Sequence, residues 1–344
     1  MWSCIQGNLG PNGTLCGDDL CQNVGLLLSV ASMAYLLVCF PLGLIFNVLV
    51  LIVNLRHKLS INMPDVYFTN MALAGLILNL VAFLQLLSPD HLLWPVWAFG
   101  REVCMGSFIL FNMAALVSIY SATLLSLDCF IEQALPHTYM SSVYNTKHVC
   151  TFVWGGAALA SFSSLLFYIC NKISDQTHDC SRLQTKELGD AIMFFTGFLV
   201  PAVGVSCALG LILRKRRPLW LSGPPRPEPS AQRLLLATVL VQFALWLPYN
   251  LALLVSTAHF ITRAEGSGRF LSRLHFLRGA CELLAYLSTC AVPILYKYLQ
   301  KAFDTRLKLV IQDVRCGIKG RAGTRRKGHQ QCIITVSGAE ISRQ

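Results

Sequence analysis

Apolar residues in this chain come in seven runs, each long enough to cross a bilayer and each bounded by polar or basic residues. The runs cover residues 24–53, 64–87, 102–134, 148–170, 188–213, 230–259 and 271–299. A helix needs about 20 apolar residues to cross the hydrocarbon core, so the pattern predicts an all-α membrane protein, a seven-transmembrane-helix bundle. Pro201, Pro248 and Pro293 fall inside runs. They predict kinks, which a membrane bundle tolerates because neighbouring helices satisfy the freed backbone groups. After the seventh run, Tyr298, Phe303 and Leu307 share one face while Lys301, Arg306 and Lys308 lie elsewhere, the arrangement of a short interfacial helix. The chain therefore divides into an amino-terminal segment (1–23), a spanning domain (24–299), an amphipathic helix (300–312) and a polar tail (313–344) expected to be disordered. Residues 214–229, basic and then proline-rich, read as a connection between spans five and six.

Composition agrees. Hydrophobic residues make up 54% of the chain and charged ones 13%, half the charge of an ordinary soluble domain, and the mean hydropathy is +0.55. The net charge of +11 could suggest nucleic acid, but 20 of the 28 Lys and Arg residues fall on the side shared by the odd-numbered hairpins and the carboxyl tail. That is the positive-inside pattern, with the amino terminus outside and the tail cytoplasmic; no nucleic-acid partner is needed to explain the charge. The first 23 residues hold no Lys or Arg, so the first run reads as a signal anchor and not a cleavable leader. The sequon Asn12-Gly13-Thr14 precedes it, on the side where a glycan on Asn12 is expected.

Landmark residues recur on these spans in a known order. Span one has Asn47; the first outer loop reads Trp97-Ala98-Phe99-Gly100 and then Cys104; spans four and five have Trp154 and Pro201. Span six carries Trp246-Leu247-Pro248, and span seven ends Pro293-Ile294-Leu295-Tyr296 ahead of Phe303. From about residue 24 to 303 the chain resembles the rhodopsin-like (class A) G-protein-coupled receptors. The resemblance implies a plasma-membrane receptor, not an enzyme and without a cofactor, in which an outside ligand shifts the balance between two helix arrangements and so changes what is offered to a G protein or arrestin. It also implies a disulfide between Cys104 and Cys180. Cys4, Cys16 and Cys21 lie on the same oxidising side, and one of them could bridge to another or to an outer loop. Cys316, just beyond the amphipathic helix, is a palmitoylation candidate, and Arg325-Arg326-Lys327 would attract anionic membrane lipid.

Several polar switch positions of the family are replaced. Its Asp-Arg-Tyr at the inner end of span three is here Asp128-Cys129-Phe130, the span-two aspartate of its sodium site is Gly75, and the asparagine before Pro293 is Val292. A thiol cannot supply the ion pair of a guanidinium, and without the carboxylate a hard cation lacks compensation, so no metal site is expected. The switch then rests on Trp246, Pro248, Pro293 and Tyr296, and Asp128 could pair with a nearby basic residue.

Aligned pocket positions are Gln85, Phe111, Asn112, Trp246, Tyr249, Asn250, Glu282 and Tyr286. Phe111 and Tyr286 stand where amine receptors hold an aspartate and opsins a lysine, which argues against amines and retinal. Glu282 is an ionisable group inside a span and hence a functional candidate, although Arg278, four residues earlier on the same face, could simply neutralise it. Asn112 and Asn250 could equally be interhelical hydrogen-bond partners. Arg263, Arg269, Arg273, His275 and Arg278 gather about the third outer loop, a cluster suited to steering an acidic peptide or anionic lipid, or simply a solvated face. Two alternatives stand beside a coupling receptor. The lost arginine suits a non-coupling or scavenging receptor, and a seven-span transporter would need paired ionisable groups at midplane depth.

Overall fold

The computed structural model of the chain describes residues 19–57, 61–86, 100–134, 143–174, 185–215, 229–261 and 268–321, and all regular structure among them is helical. Span one is α1 (Asp19–Ala34), a π-turn over Tyr35–Cys39 and α2 (Phe40–Arg56). Spans two to four are α3 (Met63–Leu86), α4 (Gly100–Ala134) and α5 (Val143–Ser174). Span five is α6 (Thr185–Phe194), a second π-turn over Phe195–Leu199 and α7 (Val200–Lys215); span six is α8 (Pro229–Ile261). Span seven is α9 (Gly268–Tyr286) and α10 (Ser288–Leu299), followed by α11 (Lys301–Arg321). Among the described residues six of the seven spans are apolar enough over their length to cross a membrane; the other, α5, is 32 residues long.

Each π-turn ends two residues before a proline, Pro41 in one case and Pro201 in the other. A proline has no N–H for the carbonyl four residues back and its ring collides with that carbonyl. Here those carbonyls belong to Leu37 and Gly197, both inside the wider turns, and widening the turn moves the oxygen away from the ring. Pro293 is accommodated differently: the carbonyl it leaves unserved is that of Thr289, and Asn47 Nδ2 donates to this oxygen at 2.7 Å. The landmark asparagine of span one thus repairs the helix of span seven.

The core has two parts. Named for the orientation expected from the loop charges, the outer one centres on Phe111, Trp246 and Tyr286 and the inner one on Tyr67, Tyr296 and Phe303, all 1% exposed or less. Large apolar side chains such as Phe152 (79% exposed) and Leu159 (75%) face outward, where lipid is the solvent. Trp154 Nε1 donates to Asn70 Oδ1 at 3.0 Å and ties span four to span two.

The amphipathic helix runs nine residues past its expected end at 312, so residues 313–321 are helical and not the start of a disordered tail. Phe303, Leu307, Val310 and Val314 continue the 3.6-residue apolar spacing beyond 312, and the first glycine after Lys301 is Gly317.

Candidate functional site

Five of the eight expected pocket residues line one cavity in the outer half of the bundle: Phe111, Asn112, Trp246, Tyr249 and Asn250, joined by Asp190 and Arg278. Phe111 is the hub. Its ring lies 5.9 Å from Trp246, 5.6 Å from Tyr249 and 5.7 Å from Tyr286, the last two edge-on as aromatic quadrupoles prefer. These side chains leave about 20 Å³ of open space, room for one water and no more. Asn250 Nδ2 donates to Trp246 O at 2.8 Å within its own helix, whereas Asn112 Nδ2 is buried without a hydrogen-bond partner among the described residues.

Gln85, Glu282 and Tyr286 form a polar cluster beside this cavity. The Tyr286 hydroxyl lies 2.5 Å from Gln85 Oε1 and 3.1 Å from Glu282 Oε1. One proton cannot serve two acceptors fully. If the Gln85 amide turns, its Nε2, otherwise without a partner, donates to the phenol oxygen while the hydroxyl serves Glu282.

Arg278 finds its close ion partner on another span. Its guanidinium grips Asp190 of span five with two contacts, 3.0 and 3.4 Å, and sits 5.7 Å from the centre of the Tyr249 ring. Sequence reasoning misses Asp190, although an acid inside the fifth apolar run is itself a signal. The side chains of Arg263, Arg269, Arg273 and His275 lie outside the described residues, as do those of Asn12, Cys104, Cys180 and Cys316.

Below the cavity, Trp246 Nε1 donates to Ser288 Oγ at 3.2 Å, and Gln242 Nε2 to Ser118 Oγ at 2.8 Å. Where the family places an aspartate, Gly75 brings its backbone against Asn47: a Cβ there would stand 2.8 Å from Asn47 Oδ1. Sequence reasoning also misses a second group. Tyr35, held inward by the first π-turn, and Thr289 both donate to Asn79 Oδ1, at 3.1 and 2.8 Å, joining spans one, two and seven.

At the inner end, Tyr67 donates to Asp128 Oδ2 at 2.5 Å. Asp128, Cys129 and Phe130 are partly buried, and Cys129 and Phe130 pack on the inner core. Tyr296 is fully buried, its ring 4.5 Å from that of Phe68 and 5.4 Å from that of Phe303 on α11. Its hydroxyl donates to Asp65 Oδ1 at 2.8 Å, with Asn54 Oδ1 a second acceptor at 3.2 Å. Asp65, itself fully buried, also receives Arg306 Nη1 at 2.7 Å.

These landmarks have counterparts in known proteins. The profile of the 7 transmembrane receptor (rhodopsin family) matches residues 46–296. G-protein coupled receptor 146 of Xenopus laevis is 47% identical over 324 residues, covering 93% of this chain and 96% of the relative. The Mus musculus protein of the same name is 45% identical over 324 residues, 92% and 95% of the two chains. G-protein coupled estrogen receptor 1 of Homo sapiens is 28% identical over 303 residues, 84% and 76%. The outer cavity, the tryptophan beneath it and the buried tyrosine at the inner end are thus carried by a multi-pass membrane receptor, and the chain belongs to the rhodopsin family of seven-transmembrane receptors.

Proposed function

We propose that this receptor lies in the plasma membrane with its amino terminus outside, takes an extracellular ligand between spans three, five, six and seven, and passes the signal to a heterotrimeric G protein, arrestin or both. One observation carries the reading: an unbroken line of contacts runs from the Asp190–Arg278 pair through Tyr249 and Phe111 to Trp246 and Ser288. A ligand that enters the outer cavity must part these aromatic side chains, and their displacement reaches the centre of span six beside Pro248. The basic residues Arg263, Arg269, Arg273 and His275 favour an acidic peptide or anionic lipid, and such a ligand competes with Asp190 for Arg278. The same reading includes a Cys104–Cys180 disulfide, a glycan on Asn12 and acylation of Cys316, with lipid contact along α11; mass spectrometry of the intact receptor tests the three modifications.

The deciding experiment is a ligand screen read by arrestin recruitment and cyclic nucleotide together, repeated on Glu282→Gln and Arg278→Ala. The expected result is a hit whose potency falls at least about tenfold in one of the two variants. Equal potency in all three receptors would place the ligand elsewhere. A second reading, a receptor that binds and internalises ligand without coupling, draws on Cys129 standing where the family has arginine. Cys129→Arg discriminates: a signal gained with arginine supports a coupling scaffold, while silence in both forms beside ligand uptake supports the scavenger.

A further inference from the structure

The inner end of the bundle contains a buried carboxylate that the landmark pattern does not announce. Asp65, in the first turn of α3, is 0% exposed. Its Oδ2 takes Arg306 Nη1 at 2.7 Å and the Asn62 backbone N–H at 3.1 Å. Its Oδ1 takes the Tyr296 hydroxyl at 2.8 Å and Gln300 Nε2 at 3.2 Å. Four donors on one carboxylate, one of them a guanidinium, are what a buried charge needs to be tolerated.

The donors come from different elements. Tyr296 ends span seven, Gln300 sits at the joint with α11, and Arg306, 7% exposed, lies on α11 itself. Asn54 of span one accepts from the same tyrosine at 3.2 Å. Moving Tyr296 away from span two breaks its bond to Asp65 Oδ1, and moving α11 away breaks the Arg306 pair at Oδ2, so one carboxylate ties both to span two. Span three, by contrast, has a thiol at Cys129 where a guanidinium could have bridged helices.

We propose that Asp65 is a positioning residue whose ion pair with Arg306 holds Tyr296 and α11 in the resting arrangement. Its signalling consequence rests on the coupling reading above; its mechanical part does not.

The test uses the full-length receptor with Asp65→Asn, Arg306→Gln, the double variant and Arg306→Lys. Two quantities are read: basal second-messenger output at equal membrane level, and the distance between bioorthogonal labels at the inner ends of α4 and α8, two helices that carry none of the altered residues. Asp65→Asn and Arg306→Gln should each raise basal output about threefold or more and lengthen the label distance. The double variant should add little to the larger single effect because both cut one interaction, and Arg306→Lys, which keeps the charge, should fall nearer the parent. A longer distance without added output upholds the latch and counts against coupling. An unchanged distance in Arg306→Gln overturns the latch, and that variant decides the matter if Asp65→Asn fails to reach the membrane.

Discussion

Gly75, which the resemblance aligns with a carboxylate of the family, has no side chain, and this is what allows Asn47 to lie against span two while its amide serves Thr289 of span seven. Adding a methyl group at 75 forces Asn47 Oδ1 back from 2.8 Å, and overpacking of this kind costs about 1 to 3 kcal/mol. Gly75→Ala should therefore lower the thermal midpoint of the purified receptor. Asn47→Ala should lower it as well, since a buried carbonyl left without a donor costs about 1 to 3 kcal/mol. Once Asn47 has been removed, Gly75→Ala should cost little more, because the obstructing amide is gone; full additivity of the two losses would refute the contact. The substitutions at 75, 129 and 292 were legible in the sequence as departures from a pattern. The inner network was not, because partners such as Asp65 and Arg306 lie 241 positions apart and no local spacing links them.

At the scale of elements, the spans and their order follow from hydropathy, and Pro201 and Pro293, with Pro41, mark where the helices deviate. The form of each deviation needed coordinates: two prolines follow wide turns, and a third is served by a neighbouring helix. The longer α11 was legible in principle from the spacing of Phe303, Leu307, Val310 and Val314, which a boundary at 312 cut short. The link between spans five and seven makes a quantitative prediction. Arg278 and Asp190 expose only 9% and 16% of their side chains, and removing one partner of a buried pair costs about 3 to 5 kcal/mol. Arg278→Gln and Asp190→Asn should each depress the thermal midpoint strongly, and the double variant should be more stable than the sum of the two losses implies. Strict additivity would mean that the pair contributes no coupling.

For the whole molecule, the two-part core explains why a stable scaffold can coexist with altered switch residues. Phe111 and its aromatic neighbours organise the outer half and Tyr296 and its partners, Val292 among them, the inner half, while Gly75 is buried next to Ala74 of the outer half. The bond from Asn47 to the Thr289 carbonyl spans 242 positions of sequence, and this has a consequence for how the receptor is made. Ribosomes add about 5 to 20 residues each second, so span one waits roughly ten to fifty seconds in the translocation machinery's membrane before the acceptor for its amide arrives. Throughout that interval Asn47 has the Gly43 carbonyl of its own helix but lacks its acceptor on span seven, a feature that quality-control factors can recognise. A nascent chain halted before span seven should thus be retained and degraded in pulse-chase labelling, and Asn47→Leu should lengthen the lifetime of that halted chain while shortening that of the finished receptor.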